Sequence, residues 1–111
     1  MKDDLLYLRH IRDAIVKIEN YTAVGRDIFF KESHWQDAVI RQLEITGEAT
    51  KNLSQSLRDQ YPNIEWRRIA GLRDVLIHNY MGVDLSAVWE ITQRSLPDLK
   101  KSVIAIIQEL E

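Results

Sequence analysis

Apolar side chains recur every three or four residues along most of the chain, and this spacing constrains the fold more than any other feature. It is clearest near the N-terminus, where the stripe consists of Leu5, Leu8, Ile11, Ile15 and Ile18. Because an α-helix turns once in about 3.6 residues, such a stripe lies on one helical face. Glycine and proline, which interrupt helices, account for only 4 and 2 of the 111 residues. With no strand-like alternation to compete, the pattern predicts an all-α protein, an antiparallel bundle of about four to five helices.

Residues that interrupt or cap helices predict where each helix begins and ends. Gly25 should end the first helix, a second and longer helix should run from about Trp35 to Leu57, and Pro62 should end that region. The later signals are Asn63 as N-cap of the third helix, Gly82 as its C-terminal stop, Asp84 as N-cap of the fourth helix and Pro97 in the first turn of the last. The length is typical of one domain, so residues 1–111 are expected to form a single helical domain.

The last helix contains an almost continuous apolar stretch from Val103 to Ile107. A helix that packs on one side only needs a single apolar face. The stretch therefore has two interpretations, which the sequence leaves open: it belongs to the core on several sides, or it forms part of a dimer surface.

Composition excludes several classes of protein. The chain has no cysteine, which excludes disulfides and thiolate metal sites and suits a reducing cytoplasm. No apolar run approaches the roughly 20 residues that span a bilayer, and Met1–Leu8 lacks the apolar core of a signal peptide. We therefore expect a cytoplasmic protein without a membrane partner.

The formal net charge of -2 means that bulk charge cannot attract a nucleic acid. Any contact with RNA must use a local basic patch. One candidate patch is formed by residues that are close in sequence, Trp66, Arg67, Arg68 and Arg73. The alternative is an ordinary solvated helix face anchored by one tryptophan.

A polar cluster interrupts the third helix near its predicted end and is the most informative segment of the chain. Its members are Arg73, Asp74, His78, Asn79 and Tyr80. Arginine can stabilise a phosphate through a bidentate fork, and histidine can exchange a proton near neutral pH. These groups suit cleavage of RNA by attack of a 2'-hydroxyl on the adjacent phosphorus, which needs no metal.

Helix geometry limits how these groups can meet. Arg73 and Tyr80 are seven positions apart and nearly share a face, whereas Arg73 and His78 are separated by about 140° on an ideal helix. A two-fold interface would bring two copies of each residue towards one cleft. One imidazole could then act as general base and the other as general acid, while Arg73 stabilises the pentacoordinate phosphate.

The spacing Arg73-x4-His78-x-Tyr80 resembles the signature of HepT-like proteins of the HEPN superfamily. Asp74 matches the polar residue that often follows the arginine in that group. The flanking sequence is also similar to that group, both in the segment 66–72 and in Gly82-Val83-Asp84-Leu85. The resemblance covers about residues 4 to 110.

The resemblance implies a function as well as a HEPN-like bundle. By this likeness the chain is the toxin of a type II toxin–antitoxin system, a metal-independent endoribonuclease that needs no cofactor. Arg73 and His78 correspond to the catalytic pair, with Asp74 and Asn79 in support. Tyr80 corresponds to the tyrosine to which an MNT-type nucleotidyltransferase antitoxin transfers AMP. The resemblance also implies a homodimer with its cleft at the subunit interface and RNA as substrate.

Other interpretations of the same residues remain open. His78 could be a cation at a helix C-terminus, Arg73 and Asp74 could belong to a salt-bridge network, and Tyr80 could be a packing residue. The whole protein could be a non-catalytic module that binds RNA or a partner, or a nucleotide-binding subunit whose partner supplies the chemistry.

Polar residues elsewhere in the chain are not predicted to be catalytic. Three residues of the second predicted helix are expected to be structural or to line a cleft: Arg41, Glu44 and Glu48. His10 and His34 are expected on the surface or in the core, since no His/Asp/Glu cluster has the spacing of metal ligands.

Overall fold

The computed structural model describes residues 3–72 and 84–111, and within these ranges every regular element is helical. The prediction of an all-α bundle is thereby confirmed. The α-helices are α1 (Asp4–Thr22), α2 (Arg26–Lys31), α3 (Ser33–Lys51), α4 (Gln55–Gln60), α5 (Trp66–Ala70), α6 (Leu85–Glu90) and α7 (Leu96–Leu110), with a π-helical turn over Ile91–Ser95.

Three long helices, α1, α3 and α7, form the bundle, and α1 packs against both of the others. The stripe predicted for α1 is its buried face, from Leu8 to Ile18. Opposite it, α3 buries Val39 and Leu43, while Phe29 of α2 is completely buried beside them. Local periodicity therefore identified the core face of α1, but it did not identify the separate short helix α2.

The end of α1 is where the sequence placed it. Gly25 has φ 96°, a left-handed conformation that costs glycine little, and α2 begins at the next residue. At the other end of α1, the carboxylate of Asp3 accepts a hydrogen bond from the backbone N–H of Leu6 at 3.1 Å. The prediction that Gly25 ends the first helix is confirmed.

The second predicted helix, from about Trp35 to Leu57, is in fact two helices. The hydroxyl oxygen of Ser54 accepts a hydrogen bond from the N–H of Leu57 at 3.1 Å and so caps α4. Ser54 in turn donates to the carboxylate of Asp4, from its N–H at 2.7 Å and from its hydroxyl at 2.6 Å. A contact across fifty residues thus supports the break, and local periodicity cannot reveal it.

The predicted N-cap of the third helix is wrong. Asn63 is exposed, and α5 begins three residues later at Trp66, preceded by Glu65, which makes no side-chain cap. The N–H of Trp66 instead bonds to the carbonyl oxygen of Ile64 at 2.9 Å, within a turn that follows Pro62. The predicted stop at Gly82 lies outside the described residues.

The two predicted helix-start signals at Asp84 and Pro97 are confirmed. The carboxylate of Asp84 accepts from the N–H of Ala87 at 3.1 Å and caps α6. Pro97 lies in the first turn of α7, directly after the π-helical turn. Proline lacks an N–H and crowds the carbonyl four residues before it, which accounts for a widened turn at this point.

The C-terminal apolar stretch belongs mainly to the core. Val103, Ile106 and Ile107 are buried within this single chain, Ile104 is partly buried and Ala105 is exposed. Of the two interpretations, the structure supports the core. Burial stops short of the end of the helix, where Leu110 is 44% exposed.

Candidate functional site

The residues of the predicted site lie between α5 and α6 in the sequence. Arg73, Asp74, His78, Asn79 and Tyr80 all lie outside the described residues. The structure therefore describes the chain on both sides of the predicted site, from α5 to Leu72 before it and from Asp84 into α6 after it.

The helix that leads into the segment is anchored in the core. Trp66 is only 5% exposed, and its indole N–H donates to the carbonyl oxygen of Tyr61 at 3.0 Å. Ala70 is buried on the same helix, which packs against α3. Trp66 is therefore an anchor, as one of the two sequence interpretations held, and it is not available to stack on a base. Arg67 and Arg68 are exposed.

The helix that follows the segment is anchored in the same core. Val88 of α6 is buried, and the ring of Trp89 lies 5.2 Å from the ring of Phe29, centroid to centroid. Asp84 caps the first turn of this helix. The described residues on both sides of the predicted site thus belong to one packed unit.

A groove of about 340 Å³ lies beside the last described residue before Arg73. Leu72, Ile69 and Ile91 contribute apolar walls, while Ser95 and Asp98 contribute polar groups. The π-helical turn supplies both Ile91 and Ser95, so the irregular turn helps to shape this groove.

A second groove, of about 280 Å³, lies between α1 and α3. It is lined by Arg41, Glu44 and Glu48, so the expectation that these residues line a cleft is confirmed. Arg41 and Glu44 approach each other at 3.6 Å. Tyr7 and His10 line the opposite side, with their rings edge to face at 5.9 Å.

Periodicity gave no reason to group His10 with the residues of α3, because they are brought together only by helix packing. His34, the other histidine outside the predicted site, is exposed beside Glu32, at 3.6 Å. Both histidines are therefore surface residues, one of the two places expected for them.

Within 3–72 and 84–111, no group of three or more His, Asp or Glu side chains is arranged to hold a metal ion. Among the helices in those ranges, none is both long enough and apolar enough to cross a bilayer.

Comparison with known proteins identifies the family. The family model described as ribonuclease HepT-like matches residues 11–106. The chain belongs to the ribonuclease HepT-like family. The matched range includes the spacing Arg73-x4-His78-x-Tyr80, and membership confirms the resemblance to HepT-like proteins.

Similar HepT-like proteins come from archaea and a bacterium. A protein of Methanocaldococcus jannaschii named "Gamma-glutamylcyclotransferase and putative RNase" is 45% identical over 99% of this chain, which spans only 50% of that protein. A "Putative RNase" of Caldanaerobacter subterraneus is 38% identical over 98% of both chains. A "Probable ribonuclease HepT" of Thermococcus cleftensis is 43% identical over 85% of this chain and 86% of its own. No solved structure matches the chain significantly.

Proposed function

We propose that this protein is a metal-independent endoribonuclease and the toxin of a type II toxin–antitoxin system. The observation that carries the proposal is the spacing Arg73-x4-His78-x-Tyr80 inside a chain of the ribonuclease HepT-like family. The relatives' names, which refer to ribonucleases, support the substrate class. In this proposal residues 1–111 form one domain that acts in the cytoplasm.

The chemistry follows from the types of residue at the site. An imidazole of His78 removes the proton from a 2'-hydroxyl, whose oxygen attacks the adjacent phosphorus. The guanidinium of Arg73 stabilises the charge of the pentacoordinate phosphate. A second His78 protonates the leaving 5'-oxygen, so the products are a 2',3'-cyclic phosphate and a 5'-hydroxyl end. Asp74 and Asn79 support these groups.

The need for a second imidazole leads us to propose a homodimer with the cleft at its two-fold axis. The C-terminal apolar stretch no longer supports this proposal, because most of it is buried within one chain. Sedimentation equilibrium at micromolar protein tests it directly. A mass of about twice 13.0 kDa is expected, and a strict monomer would remove the composite site.

The decisive experiment compares the parent with His78→Ala on cellular RNA. Loss of a general acid–base group should slow cleavage by about 10²–10⁴-fold, while RNA affinity changes little because a neutral imidazole attracts phosphate weakly. His10→Ala is the matched control, since His10 is an exposed histidine outside the motif. Cleavage should persist in EDTA, and product ends should be mapped.

Two results would contradict the proposal. If a folded His78→Ala variant cuts as fast as the parent, the activity belongs to another site or to a contaminant. If the parent binds RNA and never cuts it, the chain is instead a non-catalytic binding module, which is the second candidate function.

A further inference from the structure

An open groove of about 720 Å³ between α4 and α5 brings three arginines together. Arg58 comes from α4, and Arg67 and Arg68 come from α5. The acidic residues on its wall are Asp59 and Glu65, so three positive side chains face two negative ones. In a chain with a formal net charge of -2, this groove is a local concentration of positive charge.

The three cations differ in how far they are already engaged. Arg67 is exposed and has no ion-pair partner in the part of the chain that the structure describes. Arg68 pairs with Glu65 at 3.2 Å, but their side chains are 73% and 66% exposed. Such exposed pairs contribute little to stability, so a phosphate can replace the carboxylate. Arg58 is held in place, because its guanidinium donates to the carbonyl oxygen of Thr50 at 2.6 Å.

The buried tryptophan determines which way these arginines face. Trp66 points into the core and is bonded to Tyr61, which leaves the next two residues, Arg67 and Arg68, on the solvent side. A short helix anchored in this way presents its cations without the cost of ordering a loop. Because Trp66 is unavailable for stacking, the groove can recognise charge along a backbone but lacks an aromatic platform for bases.

We propose that this groove binds the phosphate backbone of single-stranded RNA, with Arg67 and Arg68 as the phosphate-binding residues. The assignment rests on the proposed ribonuclease function and extends it to a substrate-binding site made of residues other than the proposed catalytic pair. The open shape suits an extended strand, and α5 leads along the chain towards Arg73. Recognition through phosphates alone implies affinity without preference for a base sequence.

The test measures binding to a 2'-O-methyl RNA oligonucleotide of about 16 nucleotides, which is at the upper end of the site sizes known for OB-fold proteins that bind single strands. This probe lacks the attacking hydroxyl and cannot be cut by the proposed chemistry. Fluorescence anisotropy over a range of salt compares the parent with the double variant Arg67→Ala, Arg68→Ala. Each lost phosphate contact should weaken binding about fivefold at about 0.1 M salt and lower the salt slope by about 0.7.

The control variant is Arg94→Ala. Arg94 is exposed and paired with Glu90 at 3.0 Å, much as Arg68 is paired with Glu65, but it does not line this groove. It should bind the oligonucleotide like the parent. Circular dichroism of all three proteins ensures that only folded protein is compared.

The outcomes separate this inference from the proposed activity. If the parent cleaves RNA but the double variant binds the oligonucleotide equally well, the groove assignment is overturned and the ribonuclease proposal stands. If binding of the oligonucleotide depends on Arg67 and Arg68 but the parent never cleaves RNA, the groove assignment stands and the ribonuclease proposal is contradicted. An unchanged affinity for the oligonucleotide combined with lost affinity for a protein antitoxin would overturn the assignment in favour of a protein-binding groove.

Discussion

The indole N–H of Trp66 donates a hydrogen bond to the backbone carbonyl oxygen of Tyr61 at 3.0 Å. This bond joins the first residue of α5 to the turn that precedes it, while the ring itself is buried. Trp66 therefore helps to hold α5, which leads directly into the predicted catalytic segment, in its position.

Replacing Trp66 by phenylalanine should destabilise the protein. The variant loses buried ring volume and leaves the carbonyl oxygen of Tyr61 without its donor, so the free energy of unfolding should fall by about 1–3 kcal/mol. Urea denaturation measures this loss. Trp35→Phe is the control, because Trp35 is only partly buried and its indole bonds to the exposed carboxylate of Glu32. Equal losses in the two variants would contradict the anchoring role of Trp66.

The hydroxyl of Tyr61 should make stability depend on pH in the alkaline range. It donates a hydrogen bond to the carboxylate of Glu109, which, with partial desolvation and the negative charge of Glu109, raises the pKa of Tyr61 above its usual 10.0. The folded state thus holds the phenolic proton more tightly than the unfolded chain does. The resulting stabilisation is complete below pH 10 and is lost as the pH rises through the raised pKa.

Comparison with Tyr61→Phe tests this dependence. The difference in free energy of unfolding between parent and variant should be constant from about pH 7 to pH 9 and should shrink above about pH 10. Urea denaturation at each pH provides the values. A difference that grows above pH 10 would mean that the sign of the pKa shift is wrong.

Substitutions of Arg73 should separate the shape of its side chain from its charge. Arg73→Ala should reduce both the cleavage rate and RNA affinity, because the guanidinium is proposed to contact the phosphate before and during the reaction. Arg73→Lys should recover only part of the rate, since an ammonium group cannot reproduce the planar fork. Single-turnover kinetics measures rate and affinity separately. Complete recovery by lysine would reduce the role of Arg73 to a point charge.

Tyr80 should be the residue that an antitoxin modifies. Transfer of AMP to its hydroxyl would add negative charge where the RNA phosphate is proposed to bind, and cleavage should be suppressed. Intact mass and peptide mapping after incubation with the nucleotidyltransferase and ATP locate the modification. Tyr80→Phe should block it and Tyr7→Phe should leave it unchanged. Modification of another tyrosine, with Tyr80 untouched, would refute this prediction.

The sequence predicts a set of site residues but not their arrangement in space. Spacing within one segment predicts Arg73, His78 and Tyr80, and these assignments stay predictions because the three residues lie outside the described ranges. The α4–α5 groove was not predicted as a whole, because Arg58 joins Arg67 and Arg68 only through packing of separate helices. The same reason explains why His10 and Arg41 could not be grouped in advance.

The sequence by itself determined the helical class, the core face of α1 and the helix-boundary signals at Gly25, Asp84 and Pro97. These features depend on backbone conformation and on apolar residues one turn apart, which are local properties. Only the tertiary structure decided that the second helix divides at Ser54, that Asn63 caps nothing and that Val103, Ile106 and Ile107 are core. The break at Ser54 and the burial of the last helix depend on partners distant in the chain, such as Asp4 for Ser54, and free energy from such contacts outweighs local helix preference. Asn63 instead lies in a turn after Pro62 that precedes the helix.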